Sequence, residues 1–277
     1  STGKRIAVVG GGPGGLSAAY YLQLMGHQTT VFEMLPKLGG MLRYGIPNYR
    51  LPKDRLDDDI RAILKTGVQV KNGLKIGQDI TIQQLRQEYD VVLITIGAST
   101  DKKLGLENED ADGILSAVQF LRNVGKNQIM DLTGKEVAVI GGGNVSMDAV
   151  RTAKRLGAKK VSIVYRRRTA DMTALPAEIE GAVAEGIEVL TLKAPSRIET
   201  DENGHVSGIY VTPQMISKIK DGRASVRPTG APDVFIPCQT LIVAIGQDIE
   251  YQHFEEAGVP VPVSYTHLRA HETRGNL

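Results

Sequence analysis

A glycine-rich stretch near the start of the chain has the residue types and the spacing that bind a phosphate group. Gly10-x-Gly12-x-x-Gly15 follows the apolar run Arg5–Val9. In this spacing the first glycine permits a tight turn, the second lets the backbone approach a pyrophosphate, and the third lets a helix pack on the strand. Free N–H groups at the helix N-terminus then attract the anion. Glu33 ends the next apolar run, where a carboxylate accepts hydrogen bonds from ribose hydroxyls, so we predict a dinucleotide site.

A second glycine-rich stretch repeats this spacing. It is Gly141-x-Gly143-x-x-Ser146, with a small residue in place of the third glycine. The apolar run after it ends in three consecutive arginines rather than in an acid. A carboxylate there would repel the 2′-phosphate of NADP, whereas a guanidinium binds it through paired charged hydrogen bonds. We therefore assign Arg166 and Arg167 to a 2′-phosphate site and expect the third arginine of the run to face solvent.

The elements that must hold these two turns form a repeat. Residues 5–33 and 136–165 each have the pattern strand, glycine turn, helix and strand, with the helices predicted over 16–25 and 147–156. An apolar strand that ends in Ile-Gly follows each unit, at 91–97 and 240–246. The repeat predicts an α/β fold with two Rossmann-like dinucleotide-binding domains.

The segments between these units have weaker patterns. Residues 56–66 and 176–185 have helical spacing, and Asp-Glu-Asn-Gly at 201–204 predicts a β-hairpin turn. Residues 217–232 predict a polar loop or an irregular hairpin. No acid or base is assigned, and the Glu178 carboxylate is expected on a solvated helix face.

Composition and charge exclude several classes of protein. The chain has 277 residues, of which 42% are hydrophobic and 23% charged, close to the average for globular proteins. Its apolar runs are far shorter than the roughly 20 residues that span a bilayer. A net charge of +2 gives no strong attraction to nucleic acid or anionic lipid. Cys238 is the single cysteine, which excludes a Cys-x-x-Cys pair and suits a reducing cytoplasm. We predict a cytoplasmic protein with no metal site, and a core position for Cys238.

Several strings together carry a resemblance to a known family. They are residues 10–15 with Glu33, Leu-Gly-Gly-Met-Leu-Arg-Tyr-Gly-Ile-Pro at 38–47, Arg-Leu-Pro at 50–52, the turn at 141–148, Tyr-Arg-Arg at 165–167 and Ala-Ile-Gly-Gln at 244–247. From Lys4 to about Val261 the chain resembles the FAD domain and NADPH domain of glutamate synthase small subunits. Dihydropyrimidine dehydrogenase and ferredoxin-dependent NADP transhydrogenase share a similar module.

The resemblance implies an NADPH-dependent FAD oxidoreductase, in which hydride passes from NADPH to FAD and electrons pass singly to iron–sulfur clusters. Matching positions imply FAD contacts at Gly10, Gly12, Pro13, Gly14, Gly15, Glu33, Gly40, Met41, Arg50 and Ile76. They imply NADPH contacts at Gly143, Asn144, Val145, Ser146, Arg166, Arg167, Ala244, Ile245 and Gly246. Met41 and Ile76 can equally be core residues, and Thr173 stands where some relatives have a further arginine. The cofactors carry the chemistry, so no catalytic side chain is assigned.

The resemblance also gives the predicted domains, with the NADPH domain inserted in the FAD domain. Residues 1–133 form the N-terminal part of an FAD-binding domain, 134–245 form an NADPH-binding domain, and 246–261 start the return to the FAD domain. Family members have a cysteine-rich segment before the FAD domain and a Gly-Asp segment after the second Ile-Gly strand, and we expect this sequence to be a fragment without them. Residues 262–277 resemble a translated sequencing adapter and are expected to be a non-native tail with no defined role.

The same resemblance implies partners and leaves alternative functions open. The electron acceptor implied is an iron–sulfur protein or domain, either in a missing segment or in a partner such as a glutamate synthase large subunit, with no nucleic acid and no membrane involved. A module of dihydropyrimidine dehydrogenase or transhydrogenase type fits the same strings. A disulfide reductase also pairs two such domains, but the absent Cys-x-x-Cys pair counts against it. A non-enzymatic nucleotide-binding or electron-coupling subunit is the remaining alternative.

Overall fold

The computed structural model describes residues 1–220 and 223–260, and the chain divides into two compact units. The first unit comprises Ser1–Leu38, Ala62–Gly97 and the described residues from Ile249 onward. The second comprises Gly39–Arg61 and Ala98–Asp248. The predicted tail at 262–277 lies outside the described residues.

The strands and helices alternate along most of the chain. In chain order the strands are β1 Arg5–Val9, β2 Gln28–Glu33, β3 Gln69–Asn72, β4 Val91–Ile94, β5 Thr100–Asp101, β6 Ile114–Ser116, β7 Glu136–Ile140, β8 Lys160–Val164, β9 Glu188–Leu190, β10 Lys193–Thr200, β11 Val206–Lys220, β12 Arg223–Pro228, β13 Val234–Pro237, β14 Thr240–Val243 and β15 Gln247–Asp248. The helices are α1 Pro13–Leu24, α2 Gly40–Tyr44, α3 Lys53–Leu64, α4 Ile82–Glu88, α5 Ala117–Gly125, α6 Asn144–Arg155, α7 Pro176–Ala184 and α8 Gln252–Glu256, with a 3₁₀ turn at Thr169–Asp171.

A parallel sheet in the order β3-β2-β1-β4 forms the centre of the first unit. The central strand β1 is flanked on both sides and is a nearly continuous apolar run, buried from Ile6 to Val9, as parallel strands covered on both faces are. The edge strand β3 is polar and mostly exposed. On one face Phe32, Leu85 and Phe254 share a core, and the Phe32 ring meets the Tyr89 ring edge-on at 5.7 Å. Parallel pairing of β1 with β4 brings the carboxyl ends of the two strands beside each other, where the first glycine turn begins.

The second unit contains a parallel sheet in the order β6-β14-β7-β8-β9. Numbered from the strand that precedes the glycine turn, the order 3-2-1-4 is the same in both units, as in a Rossmann fold. Leu121 of α5, Met147 of α6 and Ala182 of α7 pack on one face of this sheet. The predicted α/β class with two Rossmann-like sheets is therefore confirmed.

An antiparallel sheet covers the other face of the parallel sheet in the second unit. In it β11 pairs with β10, β12 and β13. Cys238 is fully buried in the core between the two sheets, as predicted, and burial raises the pKa of its thiol to about 12. The predicted turn at 201–204 lies between β10 and β11. Residues 217–220 and 223–228 belong to the antiparallel β11–β12 pair, whose register shifts between Ile216 and Lys218, so the irregular-hairpin alternative is the correct one for these residues.

The second unit is wider than the range 134–245 that was predicted to bind NADPH. Residues 98–133 supply β6, which extends the parallel sheet, and α5, which covers it. Residues 39–61 supply α2, which packs against α5. Which cofactor each range binds stays a prediction. Among the described residues, no helix combines the length and the apolar character that a membrane crossing requires.

Candidate functional site

The first glycine turn joins β1 to α1, and glycine is required at different positions of this turn for different packing reasons. Gly10 has a φ of +109°, and a Cβ there would lie 2.4 Å from the backbone oxygen of Thr95. A Cβ on Gly15 would lie 1.9 Å from the oxygen of Gly10, so only glycine lets the helix approach the strand. A Cβ on Gly14 would meet nothing within 4 Å, and Gly12 is the N-cap of α1. The turn therefore leaves open space beside the free N–H groups of α1, where an anion fits.

Glu33 ends β2 beside this turn and is 5% exposed. Its Oε2 accepts a hydrogen bond from the N–H of Gly11 at 2.8 Å, and its Oε1 accepts one from the N–H of Leu35 at 2.8 Å. Each carboxylate oxygen retains a further lone pair that can accept a ribose hydroxyl. The carboxylate thus holds the turn in shape, and its contact with ribose stays a prediction that this geometry permits.

The remaining positions predicted to contact FAD fall in both units. Pro13 begins α1 in the first unit. Ile76 is 5% exposed and packs in the first unit's apolar core, which favours its role as a core residue. Gly40 and Met41 begin α2, and Arg50 lies between α2 and α3 in the second unit. Their contacts with FAD stay predictions.

Arg50 already has protein partners on α6 and α7. Its Nη1 donates to both carboxylate oxygens of Asp148, at 2.7 and 2.9 Å, and its Nε lies 3.2 Å from an oxygen of Glu178. Burial raises the pKa of the Asp148 carboxyl, and Arg50 opposes that shift. Glu178 also accepts from Arg151 at 2.7 Å, so the expectation that Glu178 faces solvent is wrong. This chain of ion pairs fastens the Arg-Leu-Pro segment to the helix that follows the second glycine turn.

Replacing Arg50 with alanine should lower the free energy of unfolding by about 1–2 kcal/mol, because the buried Asp148 carboxylate loses its main partner. The loss is moderate because water reaches part of the Arg50 side chain, which is 23% exposed. Urea unfolding followed by circular dichroism measures it. The double variant Arg50→Ala with Asp148→Asn should recover part of the loss, since it removes the carboxylate charge that Arg50→Ala leaves buried without this partner. An Arg50→Ala protein as stable as the parent would contradict this prediction.

The second glycine turn has the same architecture as the first. Gly141 has a φ of +143°, and a Cβ there would lie 2.3 Å from the backbone oxygen of Ala244. Ser146 takes the third position, and its hydroxyl is buried beneath the turn with no hydrogen-bond partner among the described residues. A Cβ on Gly143 would meet only Thr173 Oγ1, at 3.4 Å, so the space over the start of α6 is open. The cradle for an anion is therefore present here as well.

A cavity of about 610 Å³ opens at this turn within the second unit, a size typical of small-molecule sites. Its lining includes the predicted NADPH positions Gly143, Asn144, Val145, Arg166, Arg167, Ala244, Ile245 and Gly246. Ser146 is not in the lining, because it lies beneath the turn. Sequence reasoning missed the lining residues Asp101, Leu104, Leu106, Ala194 and Pro195. These come from segments without a motif, namely β5, the segment that follows it and β10, and only the fold brings them to the cavity.

The loop at residues 166–175, here called the arginine loop, supplies the positive charge of the cavity. Arg166 and Arg167 line it, and the Nε of Arg167 is buried without a hydrogen-bond partner among the described residues. A buried donor left unsatisfied is costly, so an anionic ligand oxygen at this position would be stabilising. Arg168 lies outside the cavity lining, but it is paired with Asp171 at 2.8 Å rather than free in solvent.

The two turns offer anion binding and no side-chain nucleophile. Cys238 is fully buried in the core of the second unit, and burial disfavours its thiolate. Across residues 1–220 and 223–260, no three His, Cys, Asp or Glu side chains are grouped as ligands of a metal ion. The arrangement suits two phosphate-bearing cofactors whose own chemistry does the work.

Comparison with known proteins agrees with this geometry. The family profile described as pyridine nucleotide-disulphide oxidoreductase matches residues 4–266. The chain is 40% identical over 250 residues to the beta subunit of NADP(+)-dependent formate dehydrogenase from Moorella thermoacetica. The aligned residues make up 89% of this chain and 35% of that protein. The chain is 34% identical over 256 residues to the NADPH glutamate synthase small chain of Escherichia coli K12, covering 88% and 54%. The predicted resemblance to glutamate synthase small subunits is confirmed, and the chain spans about a third to a half of these relatives.

A solved structure shows the same fold. The oxidoreductase FprA of Mycobacterium tuberculosis, solved in complex with NADPH, aligns with a TM-score of 0.74 over 88% of this chain and 71% of its own. Sequence identity is 20%, so this likeness establishes the arrangement of strands and helices and nothing finer.

Proposed function

Because the chain belongs to the pyridine nucleotide-disulphide oxidoreductase family, we propose that it is an NADPH-dependent FAD oxidoreductase module of the glutamate synthase small-subunit type. The observation that carries this proposal is the cavity in the second unit, which combines a glycine turn with two arginines. The N–H groups at the start of α6 would hold the pyrophosphate of NADPH. Arg166 and Arg167 would hold its 2′-phosphate, and the unpaired Nε of Arg167 gains a partner there.

The first unit would bind FAD at its own glycine turn. The N–H groups at the start of α1 would hold the pyrophosphate, and the free lone pairs of Glu33 would accept the ribose hydroxyls. Bound FAD supplies a hydride acceptor that can release electrons one at a time. In this proposal residues 1–133 and 246–261 belong to the FAD domain and 134–245 to the NADPH domain.

The electron acceptor would be an iron–sulfur cluster, either in a partner or in a part of the parent protein outside this chain. The names of the relatives, a beta subunit and a small chain, describe members of larger assemblies and support a partner such as a glutamate synthase large subunit. Modules that serve pyrimidine reduction or transhydrogenation share this fold, and fold alone does not choose among acceptors. A chain with a single cysteine suits a reducing compartment, and we place the module in the cytoplasm.

Reduction of flavin by NADPH tests this proposal. We expect the chain, mixed with FAD and kept free of oxygen, to lose the visible absorption bands of flavin when NADPH is added. FAD without protein, treated in the same way, is the control. Binding of NADPH without bleaching would support a non-enzymatic coupling subunit instead. Absence of NADPH binding, measured by calorimetry, would contradict the proposal as a whole.

A further inference from the structure

The carboxylate of Asp171 lies at the centre of the arginine loop and does not touch the cavity. Its side chain is fully buried. One oxygen accepts hydrogen bonds from the backbone N–H and the Nε of Arg168, at 3.2 and 2.8 Å. The other accepts from Nη2 of Arg168 at 2.9 Å and from the backbone N–H of Ala224 on β12 at 3.0 Å. The loop is thus closed on itself and attached to the β11–β12 hairpin.

The two ends of the arginine loop are held by other contacts. At its start, the hydroxyl of Tyr165 donates to the backbone oxygen of Asp171 at 2.8 Å. At its end, the backbone N–H groups of Thr173 and Ala174 donate to the oxygen of Gly142, at 3.0 and 3.1 Å. The loop therefore runs from the hairpin to the glycine turn, and its conformation decides where the cavity's positive charges lie.

The three consecutive arginines have different environments as a result. The guanidinium of Arg168 donates hydrogen bonds to Asp171, whereas Arg166 and Arg167 line the cavity. The Arg168 guanidinium holds the pKa of the Asp171 carboxyl well below its usual range, so the pair stays ionised at neutral pH. A charge-assisted pair with a fully buried carboxylate and additional backbone hydrogen bonds holds its geometry more rigidly than an exposed pair.

We infer that Asp171 is a positioning residue for nucleotide selectivity, which through Arg168 and Ala224 holds Arg166 and Arg167 where the 2′-phosphate of the dinucleotide binds. This inference rests on the proposed function of the cavity. It adds a residue that does not line the cavity and that no motif identifies. Its loss should affect ligands that carry a 2′-phosphate and leave those that lack one almost unchanged.

The test compares adenosine 2′,5′-bisphosphate with AMP, because these two probes differ in the 2′-phosphate and do not depend on FAD. We expect Asp171→Asn to weaken binding of the bisphosphate by about tenfold, the smaller end of the effect of one charged hydrogen bond. Binding of AMP should change less than twofold. Arg168→Gln breaks the same contact from the other side and should give the same selective loss, which keeps the test available if Asp171→Asn fails to fold.

Glu180→Gln is the matched control, since it removes one carboxylate charge from an exposed position of α7 in the same unit. It should leave both affinities unchanged. If Asp171→Asn and Arg168→Gln weakened the binding of both probes equally, the role of Asp171 would be merely structural and the inference would be overturned. Unchanged affinities in both variants would overturn it too. A parent chain that does not prefer the bisphosphate over AMP would instead contradict the proposed NADPH site.

Discussion

Gly143→Val should abolish NADPH binding and leave FAD binding intact, and Gly12→Val should release FAD and leave NADPH binding intact. Each glycine is the N-cap of the helix after its turn, where a side chain would occupy the space that a pyrophosphate needs. The backbone accepts valine at both positions, since φ and ψ are −79° and −175° at Gly12 and −99° and 176° at Gly143. A Cβ on Gly143 would meet only Thr173, at an ordinary contact distance of 3.4 Å. Lost NADPH binding by Gly143→Val would therefore reflect the ligand rather than the fold.

Two measurements separate the sites. Flavin absorbance after mixing with FAD and removal of the excess reports the first turn, and calorimetry with NADPH reports the second. Ser17→Val adds the same side chain to an exposed position of α1, and Gly181→Ala adds a methyl group on α7, 3.4 Å from the guanidinium of Arg151. Both controls should bind both cofactors. A Gly12→Val protein that purifies fully loaded with flavin would contradict the assignment of the first turn.

The sequence predicted the strands of both units more accurately than the starts of the helices. The run Arg5–Val9 is β1, whereas the helix predicted from Leu16 begins at Pro13, and the one predicted from Met147 begins at Asn144. Glycine and proline disfavour a helix interior, but the N–H groups of a first turn need no partner within the helix. The residues predicted to bind the anion thus belong to the helix itself.

The ends of the strands were harder to place because they depend on distant contacts. The apolar pattern extends over 91–97, but β4 ends at Ile94. There the hydroxyl of Thr95 donates to the backbone oxygens of Val9 and Gly10, at 2.9 and 3.1 Å, and the chain turns toward the glycine turn. These two hydrogen bonds join residues that are 86 and 85 positions apart in the sequence, so no local pattern reveals them.

Ion pairs inside the second unit also depend on contacts between residues far apart in the sequence, so the sequence alone did not predict them. The resemblance implies that Arg50 contacts FAD, which stays a prediction, whereas its ion pair with Asp148, 98 residues away, appears only in the fold. The sequence assigned Arg166 and Arg167 to a phosphate site, and both line the cavity. It placed the third arginine of the run in solvent, which is wrong because Arg168 pairs with Asp171. What holds that third residue, Asp171 together with the backbone of Ala224, depends on a hairpin that the sequence left undecided.

Replacing both Arg166 and Arg167 with alanine should erase the preference of the chain for NADPH over NADH. One charged hydrogen bond contributes about 1.5–3 kcal/mol, so loss of even one changes the ratio of affinities by about 10- to 150-fold. NADH binding should hardly change, because NADH carries no 2′-phosphate. Calorimetric titration of the parent and the variant with both nucleotides measures the ratio. A matched control is Arg197→Ala with Arg227→Ala, which removes two exposed arginines from the antiparallel sheet of the same unit.

The two single variants, Arg166→Ala and Arg167→Ala, should lose different amounts of NADPH affinity, because the two arginines differ in burial. Arg166 is exposed, so water and salt screen its attraction for the phosphate. The Nε of Arg167 is buried without a partner, so a phosphate oxygen there satisfies a donor that otherwise costs free energy. We therefore expect Arg167→Ala to lower NADPH affinity more than Arg166→Ala, and only the Arg166→Ala effect to shrink strongly at high salt. Tighter binding of NADH than of NADPH by the parent would contradict the assignment of both arginines.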